Sequence, residues 1–447
     1  MNILAFCSSL VCLITTIDVK RKNKLINPST IFYALWTFIL FLSILNLYGI
    51  YKPSDEAYLL IMIMIVSFYL GNLIFKIIKE KFLNSGIKNN EKNKKYYLLD
   101  KVFLFLGFSV ILFNLIDLII IIKQLADGTP MWQIRNWTLE PVGSNNPILS
   151  RRSFAESCFR NIILEPFAAL INPIALYYVF YGDNKKKKIL FLVISILTLI
   201  TSSLAGGGGR LGFICFIACL IFAFYVAIKD GKISKEYIKK YSKILLVIML
   251  VALIIITLYT TIRTGPGKLI KQTYTYFALP PTLLSEWLPQ IKNTEYTYGM
   301  TTFFGIHSYC FRVLETFKLK NMIPEVYERA YKNILNAEQF KDVGSGKSNA
   351  FVSPVYYLYL DGGYSFVFIM SCMFGFLIEA IYQKLKEDIN VKSFTIYYLI
   401  FYGVFVTFIR IQTAIPSYII SFIFANLIIR SKKEEKDDKC SSTNIQS

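Results

Sequence analysis

Apolar stretches of about 20 residues, each long enough to cross a bilayer, recur from one end of the chain to the other. Short polar or lysine-rich connections part them. The pattern predicts helices spanning a membrane near 2–19, 29–50, 57–78, 101–122, 160–181, 188–205, 211–228, 244–262, 355–382, 394–410 and 412–430. Two connections are longer than the rest, 123–159 and 263–353. Loops of that length inside a compact protein usually carry function or form small subdomains. Within the longer one the pattern turns helical over 302–318 and again over 324–340, where Pro324 suits a helix start. A flexible DVGSGKSN (342–349) follows. No internal repeat is visible, and nothing marks off a separate soluble domain, so residues 1–447 read as one integral membrane domain.

Composition agrees with the pattern. The chain has 447 residues, 55% of them hydrophobic, which is too apolar for a soluble protein with two or three ordinary cores. The expected class is an all-α polytopic membrane protein of about 11 transmembrane helices with a large extracytoplasmic loop. The N-terminus is apolar, with no basic residue ahead of it and no small-residue cleavage site before KRKNK (20–24), and it reads as a retained first helix. The eight cysteines are scattered, without CxxC or Cys/His ligand spacing, so neither a disulfide framework nor a zinc site is supported.

Charge orients the chain. Lysine-rich clusters at 20–24, 76–101, 185–188, 229–243 and 383–392, and the tail after Arg430, fall on alternate connections. The positive-inside rule places those in the cytoplasm, with the N-terminus outside and the C-terminus inside a multi-pass cytoplasmic (inner) membrane protein. Most of the net charge of +20 is thereby explained without a nucleic-acid partner.

Arginine runs against this bias. Only Arg21 and Arg430 face the cytoplasm in this topology, while Arg135, Arg151, Arg152, Arg160, Arg210, Arg263, Arg312, Arg329 and Arg410 lie at or near the outer face. The planar guanidinium pairs bidentately with phosphate and carboxylate. A group of arginines at that level therefore points to an anionic partner, such as a lipid-linked diphosphate or an acidic sugar. Structural salt bridges and lipid-headgroup contacts are the alternative for each one taken singly.

The most specific stretch is GGGGR (206–210), a tight outer turn whose Arg210 begins the next helix. Glycines let backbone N–H groups approach a ligand closely, and a helix N-terminus suits an anion. No Lys-Ser/Thr follows, so it is not a P-loop. Arg263 in TIRTGPGK opens the long loop, and Asp361 in YYLYLDGGYSF stands where that loop re-enters the membrane. An acidic residue there needs a role or an arginine partner. His307, the only histidine, lies in the same loop with Arg312 nearby. It is the most accessible general base by its ordinary pKa, although a lone histidine is more often structural. Asp117 and Glu165 fall within spans, as buried pairs or cavity-lining groups, and rank below these. DxD, Walker, HExxH and GxSxG motifs are absent, which argues against a nucleotide-sugar transferase with a soluble catalytic domain and leaves no metal or cofactor expected.

At these residues the chain resembles the bacterial oligosaccharide repeat unit polymerases, the Wzy-type O-antigen polymerase family. The resemblance rests on GGGGR between two spans, YTYGMTTFFG (296–305) in the long loop, and SNAFVSPVYYLYLDGGYSFVFIMSCMFGFLIEAIY, an Asn and a tyrosine-rich stretch followed by Asp-x-Gly entering a long helix. Gly362 follows Asp361 where an aromatic is more usual in that family. The resemblance implies a fold similar to metal-independent membrane glycosyltransferases. It also implies a reaction in which a growing glycan leaves its polyprenyl diphosphate for the sugar of an incoming lipid-linked repeat. Arg210 and Arg263 would then hold the diphosphate with Arg312 or Arg151 assisting, and His307 or Asp361 would be the base. Expected partners are polyprenyl-diphosphate-linked oligosaccharides, membrane lipids, and chain-length regulator and flippase proteins. A lipid-linked oligosaccharide flippase and a ligase that moves finished glycan to a terminal acceptor would use the same arginines. Charges gathered at the outer boundary, and not at the midplane, favour an enzyme over a transporter.

Overall fold

The protein is described here from a computed structural model. It covers residues 1–17, 26–83, 94–130, 133–134, 152–206, 211–233, scattered positions between 239 and 261, 269–317, 319–349, 351–386 and 388–433. In chain order, α1 (Asn2–Ile17), α2 (Pro28–Leu45) and α3 (Asp55–Leu83) precede strand β1 (Lys94–Leu98). Next come α4 (Asp100–Ala126) and α5 (Phe154–Phe159), which runs through a π-helical turn (Arg160–Leu164) into α6 (Glu165–Tyr181). Helices α7 (Lys185–Ala205), α8 (Leu211–Lys229), α9 (Leu269–Ile291), α10 (Phe304–Thr316) and α11 (Glu325–Ala337) follow. The strands β2 (Lys341–Asp342) and β3 (Lys347–Ser348) then pair, and α12 (Ser353–Leu385), α13 (Val391–Phe405), α14 (Pro416–Ile428) and β4 (Ile429–Lys433) complete the chain.

Eight helices among the described residues are long and apolar enough to cross a membrane, and α1 and α14 are shorter apolar helices. With Phe105, Phe108, Leu112, Ile119 and Ile122 of α4 and Ile3, Leu4, Val11 and Ile14 of α1 exposed on the outside, the fold is that of an all-α membrane protein. Most of the span expected at 244–262 lies outside the described residues, its scattered described positions being helical, and so does the turn at 207–210.

Local chemistry explains the boundaries. The side chain of Asn27 caps α2 by accepting from Ser29 N at 2.9 Å, with Pro28 in the first turn. Asn46 closes the same helix in the left-handed conformation (φ 46°, ψ 47°). Asp55 and Glu56 begin α3, where negative charge suits the helix dipole. Asn390 and Ser393 form a capping box at the start of α13.

Three apolar cores hold the helices together. One joins α1, α2, α3, α9 and α12 around Trp36, Tyr58, Trp287 and Tyr356. A second packs α4, α6, α7 and α14 around Phe103, Phe167 and Phe191, and a third packs α6, α8 and α13. The closest contact is between α3 and α12. A Cβ on Gly71 would lie 1.9 Å from the carbonyl oxygen of Cys372, and one on Gly375 would lie 2.0 Å from that of Phe68, so only glycine fits at either place.

Two features depart from the sequence reading. Helix α9 runs through the first part of the long loop although it contains Pro280, Pro281 and Pro289. Leu279, Leu283, Leu284, Trp287 and Leu288 bury its apolar face in the first core, which offsets the lost backbone bonds. The last span ends at Ile428, and Ile429–Lys433 pairs antiparallel with β1, with Leu98 opposite Ile429.

Candidate functional site

The two loop motifs interlock around Asp361. This side chain is fully buried. Oδ1 accepts from the backbone N of Thr301 at 3.0 Å and from the Thr297 hydroxyl, and Oδ2 accepts from Thr302 N at 2.8 Å. The carbonyl oxygens of Leu360 and Asp361 accept from the backbone N of Thr297 and Tyr298, each at 3.0 Å. Tyr298 (φ 50°) and Gly299 (φ 94°) turn the loop through the left-handed region. On the helix side Gly363 (φ 63°, ψ −150°) breaks α12 in a conformation reserved for glycine, and a Cβ there would meet Tyr296 Oη at 2.7 Å. The partners of Asp361 are thus amides and a hydroxyl, not an arginine. Its oxygens are engaged and closed to solvent, so the expectation of a base at Asp361 finds no open face.

His307 is half-buried on α10. At about 100° per residue, it lies about 140° round the helix from Arg312 and about 160° from Tyr309. Ile306, Cys310 and Val313 form the exposed face between them. His307 and Arg312 therefore border that face from opposite edges and do not converge. The start of α10 is seated on the turn before α14, where the Thr413 hydroxyl donates to Thr302 O at 2.7 Å and a Cβ on Gly305 would lie 2.6 Å from Thr413 O.

The charged groups that do converge lie between α4, the α5–α6 junction and α10. Ser153 caps α5, accepting from Glu156 N at 3.1 Å. One turn on, the buried Arg160 donates through Nη1 to Asp117 Oδ2 at 2.7 Å and through Nε to Glu156 Oε1 at 2.8 Å. Its guanidinium also lies 4.7 Å from the Phe113 ring centroid. Arg152 Nη2 reaches the same Asp117 oxygen at 2.8 Å. Two cations on one carboxylate make Asp117 tolerable inside α4.

Beyond Arg160 the π turn leads to Glu165, with Pro166 next, a residue that cannot supply a backbone N–H. The Glu165 side chain is exposed at the protein surface, beside the densely packed α5–α6 junction. Arg152, Arg312 and Arg160 act on it electrostatically, in that order. Tyr309 faces the same group and donates its hydroxyl to Asn161 O at 3.0 Å. Burial pushes the Tyr309 phenol up to about 12, with the Glu165 charge adding to the rise and Arg312 opposing it, so it remains a donor at neutral pH.

The remaining arginines divide. Arg410 pairs with Glu338 at 2.7 Å, tying the end of α11 to the break between α13 and α14, and Arg329 pairs with Glu295. Arg135, Arg151, Arg210 and Arg263 lie outside the described residues. Among the described residues no group of three or more His, Cys, Asp or Glu is placed to hold a metal ion.

Away from the charges, an apolar groove of about 250 Å³ runs between α2, α3, α12, α13 and α14. Pro354 and Thr413 border it toward one end of the bundle, and Phe32 and Ile381 toward the other.

The sequence reading placed Asp117 and Glu165 below His307 and Asp361, and it did not single out Tyr309. The signal it passed over is RNIILEP (160–166), an arginine, a glutamate and a proline in one apolar span. In comparisons with known proteins, the chain matches no family model, no curated protein and no solved structure.

Proposed function

We propose that this protein is a membrane glycosyltransferase that polymerises lipid-diphosphate-linked oligosaccharide repeats into a surface polysaccharide. It would work on the outer face of the cytoplasmic membrane, with its N-terminus outside and its C-terminus inside. The observation that carries this reading is the cluster at the α5–α6 junction, where Arg152 and Arg160 share Asp117 and, with Arg312, act electrostatically on the exposed carboxylate of Glu165 within a body of apolar helices. Guanidinium groups in such surroundings can hold a diphosphate and offset the charge that develops on it as it leaves. The motifs that carry the resemblance to repeat unit polymerases, YTYGMTTFFG and LDGGYSF, form one interlocked unit through Asp361, which supports the reading further.

In this reaction the anomeric carbon of the growing glycan exchanges its bond to the lipid diphosphate for one to a hydroxyl of the incoming repeat. Arg210 and Arg263 are the proposed principal diphosphate contacts, with Arg312 or Arg151 assisting. The apolar groove suits the hydrocarbon chain of the lipid carrier. Chain-length regulator and flippase proteins are the expected partners in the membrane.

Gel analysis of surface glycan extracted from host strains tests the proposal. Strains lacking the protein should show the polymer ladder collapsed to single repeat units, as should strains carrying Arg210→Ala at native protein levels. Repeats trapped inside the cell would identify a flippase instead. A full ladder still on its lipid carrier would identify a ligase, and an unchanged ladder in the deletion strain would refute all three.

A further inference from the structure

The transferase reading requires a group to accept the proton of the attacking hydroxyl, and the structure redistributes the candidates. Four other acidic side chains within the spans, Asp117, Asp361, Glu379 and Glu56, already have firm partners. Asp117 is bound by two arginines, and Asp361 by two amides and a hydroxyl. Glu379 accepts from Asn27 Nδ2 at 2.9 Å and Gln383 Nε2 at 2.6 Å, and Glu56 accepts from Lys292 and Tyr364. Unlike these four, Glu165 accepts no hydrogen bond from the described residues, and its side chain is exposed at the protein surface. An acidic side chain left without a hydrogen bond within an apolar span is costly unless water or a ligand completes it.

Its position is nevertheless fixed. Arg160 anchors the turn that carries it through two carboxylates and the Phe113 carbonyl. Tyr309 pins the same turn to α10 through Asn161. An open functional group on a locked backbone is the arrangement a reacting group needs.

We propose that Glu165 is the catalytic base, taking the proton of the acceptor hydroxyl; this rests on the transferase reading above. As the hydroxyl oxygen bonds to the anomeric carbon, the bond from that carbon to the diphosphate oxygen breaks. The lipid diphosphate leaves with the electron pair, and the hydroxyl proton passes to a Glu165 oxygen. The arginines that act on Glu165, Arg312 among them, would offset the charge of the departing diphosphate. His307, on the far edge of the α10 face, is not required for the proton.

The test uses full-length protein reconstituted in nanodiscs with lipid-linked repeats extracted from the deletion strain, and a fluorescent polyprenyl diphosphate as binding probe. Glu165→Gln should lower turnover by about 100-fold or more, the usual contribution of a general base. It should bind the probe within about twofold of native, and the acid limb of its pH–rate profile should vanish. Glu165→Asp, which keeps the carboxylate, should regain part of the rate. Native turnover in Glu165→Gln, or a loss of probe binding as large as the loss of turnover, would overturn the proposal. Its failure is distinguishable from that of the underlying reading: in the first case the deletion still collapses the glycan ladder while Glu165→Gln keeps it, and in the second the deletion itself leaves the ladder intact.

Discussion

Asp361 and Glu165 occupy matching positions in two different parts of the molecule. Each is a carboxylate in a largely apolar helix, and each stands at a break, made by Gly363 in α12 and by a π turn ahead of Pro166 in α6. The break is used in opposite ways. At Asp361 it lets a loop fold back and deliver amides to both carboxylate oxygens, and the group disappears from solvent. At Glu165 it leaves the carboxylate exposed, with arginines acting on it electrostatically and no hydrogen bond from the described residues closing it. The same residue chemistry thus yields a strut in one place and an available group in the other. What decides between them is whether backbone N–H groups are within reach.

Substitutions can break this comparison, the severest first. Asp361→Ala leaves two buried amides without an acceptor, at about 1–3 kcal/mol each, so a loss of about 2–6 kcal/mol is expected in detergent-solubilised unfolding. Glu165→Gln should change stability by less than about 0.5 kcal/mol in the same assay. Equal losses from the two would erase the distinction. Arg160→Ala removes one member of a buried ion network and should cost about 3–5 kcal/mol, since Asp117 keeps only Arg152. A neutral result would mean that the junction carrying Glu165 is not anchored there. Gly363→Ala forces a side chain into a glycine-only conformation and against Tyr296, at a cost of about 1–3 kcal/mol, and should be visible as a lower unfolding midpoint.

The smallest effect is expected from Tyr309→Phe, about 1 kcal/mol for one hydrogen bond to Asn161. It also has a pH signature. Folded protein holds the phenolic proton more tightly than the unfolded chain does, so this contribution is whole below about pH 10 and is lost as pH rises toward 12. The Phe variant should lack that alkaline decline in a stability–pH titration, and a native-like decline would place its cause elsewhere.

Much of the architecture was legible because hydrophobic runs and caps are local signals. The start of α11 follows from Pro324, and α10 and α11 stand close to where helical patterning placed them. Helix α9 was not legible, because three prolines argue against a helix unless a large core compensates. The β1–β4 pair was hidden for another reason: its strands lie more than 300 residues apart in lysine-bearing ends with no alternation to mark them.

The site divides along the same line. That arginines concentrate on the connections opposite to the lysine-rich ones could be read from their distribution. Which of them are occupied could not, since Arg152 and Arg160 find Asp117 on another helix and Arg410 finds Glu338 across the long loop. Glu165 became the leading carboxylate only once its neighbours, and the lack of a donor among them, were visible.

Gly71 and Gly375 give the molecule a stator. With backbone seated on backbone, α3 and α12 cannot slip past one another by even one residue's rise, about 1.5 Å, without driving a side chain into a carbonyl. The residues next to Arg160 and Glu165, Leu164 and Phe167, pack in the second core, apart from Gly71 and Gly375. Any movement of the α5–α6 junction would therefore take place against a frame that does not give.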